Sequence, residues 1–117
     1  MNQEQLMKKK NDSARLLEHS SRIHRNCVRL NCGSTIRHEM AKAEACYWLK
    51  KAGLEFVCEA VFKNGGDRAD IFVLDHCVAI EIVESESEAS IEKKRKKYPC
   101  RIVTLTAGQE FKEELLC

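Results

Sequence analysis

Proline is nearly absent from this 117-residue chain, which holds one, and glycine occurs five times. Collagen-like and low-complexity classes are thereby excluded. Apolar runs are short, well under the roughly 20 residues that span a bilayer. Met1–Asp12 is polar and carries three lysines, without the apolar core of an export signal. Cysteine is plentiful, but ordered cysteine pairs are missing. The seven are odd in number, irregularly spaced and free of any CxxC. A secreted disulfide framework calls for an even count and an export signal. The chain therefore reads as cytoplasmic, with most cysteines serving as small buried hydrophobes.

What remains suits one folded domain. Hydrophobic residues make up 44% and charged residues 32%, enough for a core beneath a solvated surface. Net charge is only +2 but unevenly spread. Residues 1–42 carry nine Lys and Arg against four acids, and the remainder is acidic on balance. A basic arm on a near-neutral body suits an anionic polymer, although on charge alone a solvated helical face is the favoured reading. His24, Cys27, Cys32 and His38 have ligand-capable side chains. Their spacing fits no standard zinc knuckle, so a zinc site there is disfavoured.

The pattern predicts a basic N-terminal helix or arm over residues 1–33, with a break at Asn31–Thr35. A helix follows from Ile36 to Ala52, with Ile36, Met40, Ala43 and Tyr47 at the spacing of a buried face and Gly53 as the stop. Tyr47 and Trp48 read as core anchors. Leu54–Phe62 alternates loosely and ends at an Asn64-Gly65-Gly66 turn. Ala69–Leu74 and Cys77–Val83 read as central strands covered on both faces. Ser87–Tyr98 is a charged helix stopped by Pro99, Arg101–Thr106 a last strand, and Gly108–Cys117 a short terminal helix. The order is α, β, β, β, α, β.

Glu81 interrupts an otherwise apolar strand, where an ionised carboxylate is costly unless paired, hydrogen-bonded or metal-bound. If Asp75-His76 is a two-residue hairpin loop, Phe72 faces Ala79 and Asp70 faces Glu81. Carboxylates so placed repel, with Cβ atoms about 4.5–5.5 Å apart. A divalent cation turns that repulsion into a ligand set, and oxygen-only ligation favours Mg2+ or Mn2+. In the alternative reading Asp70 merely ends a strand and Glu81 pairs with Arg68. Lys93-Lys94-Arg95-Lys96-Lys97 is the strongest charge run. Lys93, Lys94 and Lys97 are candidates for phosphate contact, or for a solvated face balanced by upstream glutamates.

The run GDRADIFVLDHCVAIEIVES, preceded by RHEMAKAEACYWLKKAG, resembles the PD-(D/E)XK nuclease superfamily. Its members include archaeal Holliday-junction resolvases and competence-type nuclease domains, and the likeness covers about residues 34–106. It implies an α/β, restriction-endonuclease-like αβββαβ core with a mixed central sheet flanked by helices, making residues 34–117 a nuclease-like domain. It also implies metal-dependent hydrolysis of DNA phosphodiesters, with Asp70, Glu81 and the main-chain carbonyl of Ile82 holding the metal. Glu44 or Glu39 would be the assisting acid of the first helix, and His38 matches a histidine at its start in some members. The family's lysine, two positions after the glutamate, is Val83 here. Either another cation has moved into the site, or the domain binds nucleic acid without cutting it. The hairpin register puts Arg68 opposite Val83 as the nearest replacement cation, with Lys93 or Lys94 competing from the next helix. Such relatives are often dimers, so a homodimer is expected as an option.

Overall fold

A computed structural model describes residues 1–19, 23–63 and 65–117. Arg22, one of the basic residues counted above, and Asn64 of the turn lie outside the described residues. The elements are α1 (Gln3–Ala14), α2 (Ile36–Lys51), β1 (Phe56–Val61), β2 (Arg68–Val73), β3 (Val78–Val83), α3 (Glu88–Lys97) and β4 (Arg101–Thr106), then a 3-10 turn at Glu113–Leu116. The sheet order is β1-β2-β3-β4. β1 and β3 pair antiparallel with β2, and β4 runs parallel to β3. The mixed α/β core is as expected.

Local chemistry sets the boundaries. Thr35 caps α2 by accepting the His38 amide at 3.1 Å. At the other end Gly53 has φ 78. Its amide bonds to Lys50 O and that of Leu54 to Leu49 O, a Schellman closure. Ser87 caps α3. Four basic residues crowd that helix's last turn, where the dipole favours them, and only Ile91 is buried. β2 and β3 are buried on both faces. On one face Ala45, Cys46 and Leu49 of α2 pack on Phe56, Ile71, Val73, Ile80 and Ile82. On the other, Ala14, Leu17, Phe62, Phe72, Leu74 and Tyr98 form a second cluster. The N-terminal segment thus packs on the sheet through Ala14 and Leu17.

The hairpin register matches the expected one, with Phe72 opposite Ala79, but the turn is longer. It spans four residues, 74–77, so Leu74 and Cys77 belong to the turn. The face expected for α2 is wrong. Ile36 is 81% exposed, Met40 64% and Tyr47 57%, and Trp48 also reaches solvent. Tyr47 and Trp48 pack edge-on against each other under Lys51 instead of anchoring the core. The buried stripe is Glu39, Lys42, Ala45, Cys46 and Leu49, because the two charged members have partners beneath the helix. Only Cys46 and Cys58 of the cysteines are fully buried, and Cys27, Cys32 and Cys117 are exposed.

β1 and β2 kink together in mid-strand. Pairing runs to Cys58↔Ile71 and resumes at Ala60↔Ala69, leaving Glu59 across from Asp70. Glu59 has φ 51, a left-handed conformation costing a non-glycine residue about 1–2 kcal/mol. Cys58 and Ile71 belong to one core cluster, Ala60 and Ala69 to the other. Normal alternation would put each pair of neighbours, 58 with 60 and 69 with 71, on one face. The twist turns Asp70 out of the regular ladder.

Candidate functional site

At the kink, side chains take over from the backbone ladder. β2–β3 pairing ends at Ile71↔Ile80. One residue further, the Asp70 amide donates to Glu81 Oε2 at 2.9 Å, and the Ile82 amide donates to Asp70 Oδ2 at 2.8 Å. Each carboxylate braces the opposite strand. Glu81 is 2% exposed. Its Oε1 accepts the Tyr98 hydroxyl at 2.6 Å and lies 3.2 Å from Lys94 Nζ. The Tyr98 hydroxyl is also 2.9 Å from the Arg68 carbonyl, tying the end of α3 to β2. Burial raises the Glu81 pKa and the Asp70 charge adds to it, against the Asp70 amide, Tyr98 and Lys94.

Lys94 is the cation nearest the carboxylates, and the expectation for Arg68 is corrected. Arg68 is exposed, paired in register with Val61 on the β1 side. It lines a concavity with Arg29 and Glu59 and makes no ion pair with Glu81, so the alternative Glu81–Arg68 pair does not form. Lys94 reaches back from α3 to Glu81 and to Glu86, 2.9 Å away. Burial would lower its pKa, but these two carboxylates raise it. Lys93 and Lys97 are exposed on the same helix.

A second charged layer lies under the start of α2. His38 Nε2 is 3.3 Å from Asp70 Oδ2, and its Nδ1 is 2.7 Å from Glu39 Oε2. Glu39 Oε1 meets Lys42 Nζ at 2.7 Å, and Lys42 also lies 3.3 Å from Glu59. Lys42 is 0% exposed. Burial opposes charging of His38, yet Glu39 and Asp70 raise its pKa above the usual value. Burial likewise opposes charge on Glu39, and Lys42, the Asn31 amide and His38 hold its pKa low. Acids from β1, β2, β3 and α2 thus alternate with Lys42, His38 and Lys94. His38 contacts Asp70, so its geometry is that of a site residue and not of a surface phosphate ligand. Glu44 is exposed and Glu39 is the acid of the first helix turned inward. Of the two helix acids expected as candidates it is thus Glu39 that joins the site, whereas Lys42, Glu59 and Tyr98 went unrecognised as site residues. The available signal was His38 followed by Glu39, with Lys42 one turn further along the helix.

Among the described residues no three His, Cys, Asp or Glu side chains form a ready metal cage. The side-chain donors brought together by β2 and β3 are carboxylate oxygens, those of Asp70 and Glu81. Cys27 and Cys32 of the disfavoured zinc group are exposed thiols, and His38 is engaged with two carboxylates.

A family model described as "Competence protein CoiA, nuclease-like domain" matches residues 34–101, more than half of the chain. The chain belongs to this family. The matched segment of the nuclease-like domain runs from Ser34, just before the cap of α2, to the first residue of β4 and contains Glu39, Asp70, Glu81 and Lys94. No curated protein and no solved structure gives a significant match. Membership implies a nuclease-like domain that interacts with nucleic acid. No helix among the described residues is long and apolar enough to cross a membrane.

Proposed function

We propose that this nuclease-like domain hydrolyses DNA phosphodiesters with the metal-dependent chemistry of the PD-(D/E)XK superfamily. The observation that carries the reading is the ion pair between Lys94 and buried Glu81. It puts a lysine ammonium beside the paired acids although Val83 stands at the motif position. The oxygen-only donor set fits a hard divalent cation. Mg2+ needs only one or two carboxylates and keeps several waters, which Asp70, Glu81 and the Ile82 carbonyl satisfy. Charge favours it too, because the Asp70 charge helps raise the Glu81 pKa.

When bound, Mg2+ or Mn2+ supplies Lewis acidity and lowers the pKa of a coordinated water. The chain's own groups do the rest. Tyr98 and the Asp70 amide fix both Glu81 oxygens, so that carboxylate needs little rearrangement on binding. His38 and the Ile82 amide hold Asp70 Oδ2 in the same way. Lys94 offers a positive charge to a phosphate oxygen entering beside Glu81. Lys93 and Lys97, exposed on the same helix, are placed to meet neighbouring phosphates.

The test is nicking of supercoiled DNA with Mn2+. Wild-type protein is expected to nick, Glu81→Gln to be inactive, and Lys94→Ala to lose about ten- to a thousandfold. A second reading, a nucleic-acid-binding module without cleavage, is favoured by Val83 itself. It is the correct one if wild-type protein is inert while Val83→Lys nicks.

A further inference from the structure

A groove of about 360 Å3 lies between residues 29–32 and the β1–β2 pair, lined among others by Arg29, Asn31, Glu59, Val61 and Arg68. Its position relative to the acids follows from the strands. Arg68 stands two residues before Asp70, about 7 Å along β2, and Glu59 is the residue across from Asp70. The groove therefore adjoins the candidate site on the β1 side. Its outer wall is anchored where the Asn31 amide donates to Glu39.

Its electrostatics are one-sided. Among the described residues Glu59 is the one acid in the lining, and buried Lys42, which it shares with Glu39, offsets part of its charge. Among the described residues the ion-paired arginines are Arg15, Arg25 and Arg95. Arg29 and Arg68 are not among them, and both are exposed. Two planar guanidiniums facing one concavity, with the one local acid partly offset, fit phosphate oxygens by paired hydrogen bonds. Arg29 and Glu59 also line a neighbouring cavity of about 330 Å3 along β1. The concave surface thus continues along the strand, as a linear polymer requires.

We infer that this groove is a phosphate subsite, in which Arg29 and Arg68 hold the DNA backbone beside the segment entering the Asp70–Glu81 site. It rests on the hydrolytic reading for the direction of the strand, but binding tests it without cleavage. The probe is a short fluorescein-labelled DNA duplex, followed by anisotropy in EDTA over a series of salt concentrations. Arg29→Ala combined with Arg68→Ala should weaken binding about tenfold or more. It should also flatten the log–log salt slope by about two, at roughly 0.9 for each phosphate left without its arginine. Both residues are exposed, so the fold should survive. Lys9→Ala with Lys112→Ala removes the same charge outside the groove lining and should change the slope less. Unchanged affinity in the arginine pair, equal loss in both pairs, or no duplex binding by wild-type protein overturns the groove. Binding through the arginines without any Mn2+-dependent nicking overturns hydrolysis and leaves the groove standing. Nicking by wild-type protein, with normal binding by the arginine pair, does the reverse.

Discussion

Replacing Lys42 with methionine keeps most of the side-chain volume and removes one charge from the interior. The ammonium is fully buried and meets Glu39 at 2.7 Å and Glu59 at 3.3 Å. Without it Glu39 remains buried, holding only the Asn31 amide and His38. Breaking a buried pair from one side costs about 3–5 kcal/mol. The neighbouring Asp70 side chain keeps 20% exposure, so water relieves part of this and about 3 kcal/mol is expected. In a domain of this size that lowers Tm by roughly 10–20 °C. The sign of the pH dependence follows from the partners. In the wild type Glu39 has a depressed pKa, so its stabilisation is present above the ordinary carboxylate value and lost as pH falls through the folded one. In Lys42→Met the main depressing partner is gone and burial raises the pKa. The variant's deficit should then shrink as the solution is acidified toward pH 4.5, the ordinary value, where Glu39 takes up a proton. Thermal melts of wild type, Lys42→Met, Glu39→Gln and the double variant at neutral and acid pH measure this. The double variant should recover much of the loss, because Glu39 is then neutral and only the less buried Glu59 is left without Lys42. A single variant within about 1 kcal/mol of wild type, or a double variant as unstable as Lys42→Met, would refute the charge-pairing argument.

Tyr98→Phe removes the 2.6 Å bond to buried Glu81 and should cost about 1.5–3 kcal/mol by denaturant titration, the value for a hydrogen bond to a charged group. His38 has a raised pKa. The stability it contributes should be complete below pH 6.5 and fade at higher pH, so His38→Gln should be more destabilising at pH 6 than at pH 9. Saturating Mn2+ should raise the wild-type Tm, by about 2.7 kcal/mol equivalent at a hundredfold excess over Kd, and leave Glu81→Gln unmoved. Lys94→Ala with Val83→Lys should regain part of any cleavage lost in Lys94→Ala, read as initial nicking rate.

The strands were legible because β2 and β3 are apolar runs interrupted by Asp70 and Glu81, and because side-chain alternation fixes register once one pair is chosen. Phe72↔Ala79 follows from that rule. The face of α2 was not legible. Hydropathy points to Ile36, Met40 and Tyr47, which are exposed, and away from Glu39 and Lys42, which are buried as partners. Periodicity counts apolar residues and is blind to charges that compensate each other across two elements. The kink at Glu59 had no glycine to announce it. Arg68 was misplaced because ideal register was extended beyond the last true pair, Ile71↔Ile80, where side-chain bonds replace the ladder and Lys94 is the cation that reaches Glu81.

The mutual bracing of β2 and β3 by Asp70 and Glu81 has an evolutionary corollary. Each carboxylate stands in for a main-chain acceptor that the opposite strand would otherwise lack. Purifying selection on folding alone would therefore preserve both acids long after any catalytic demand had lapsed. A pseudoenzyme of this lineage would still display an intact acidic pair. Drift would register first at positions with little architectural duty, such as Arg29 and Arg68, and those two make the better diagnostic of activity when sibling sequences are compared.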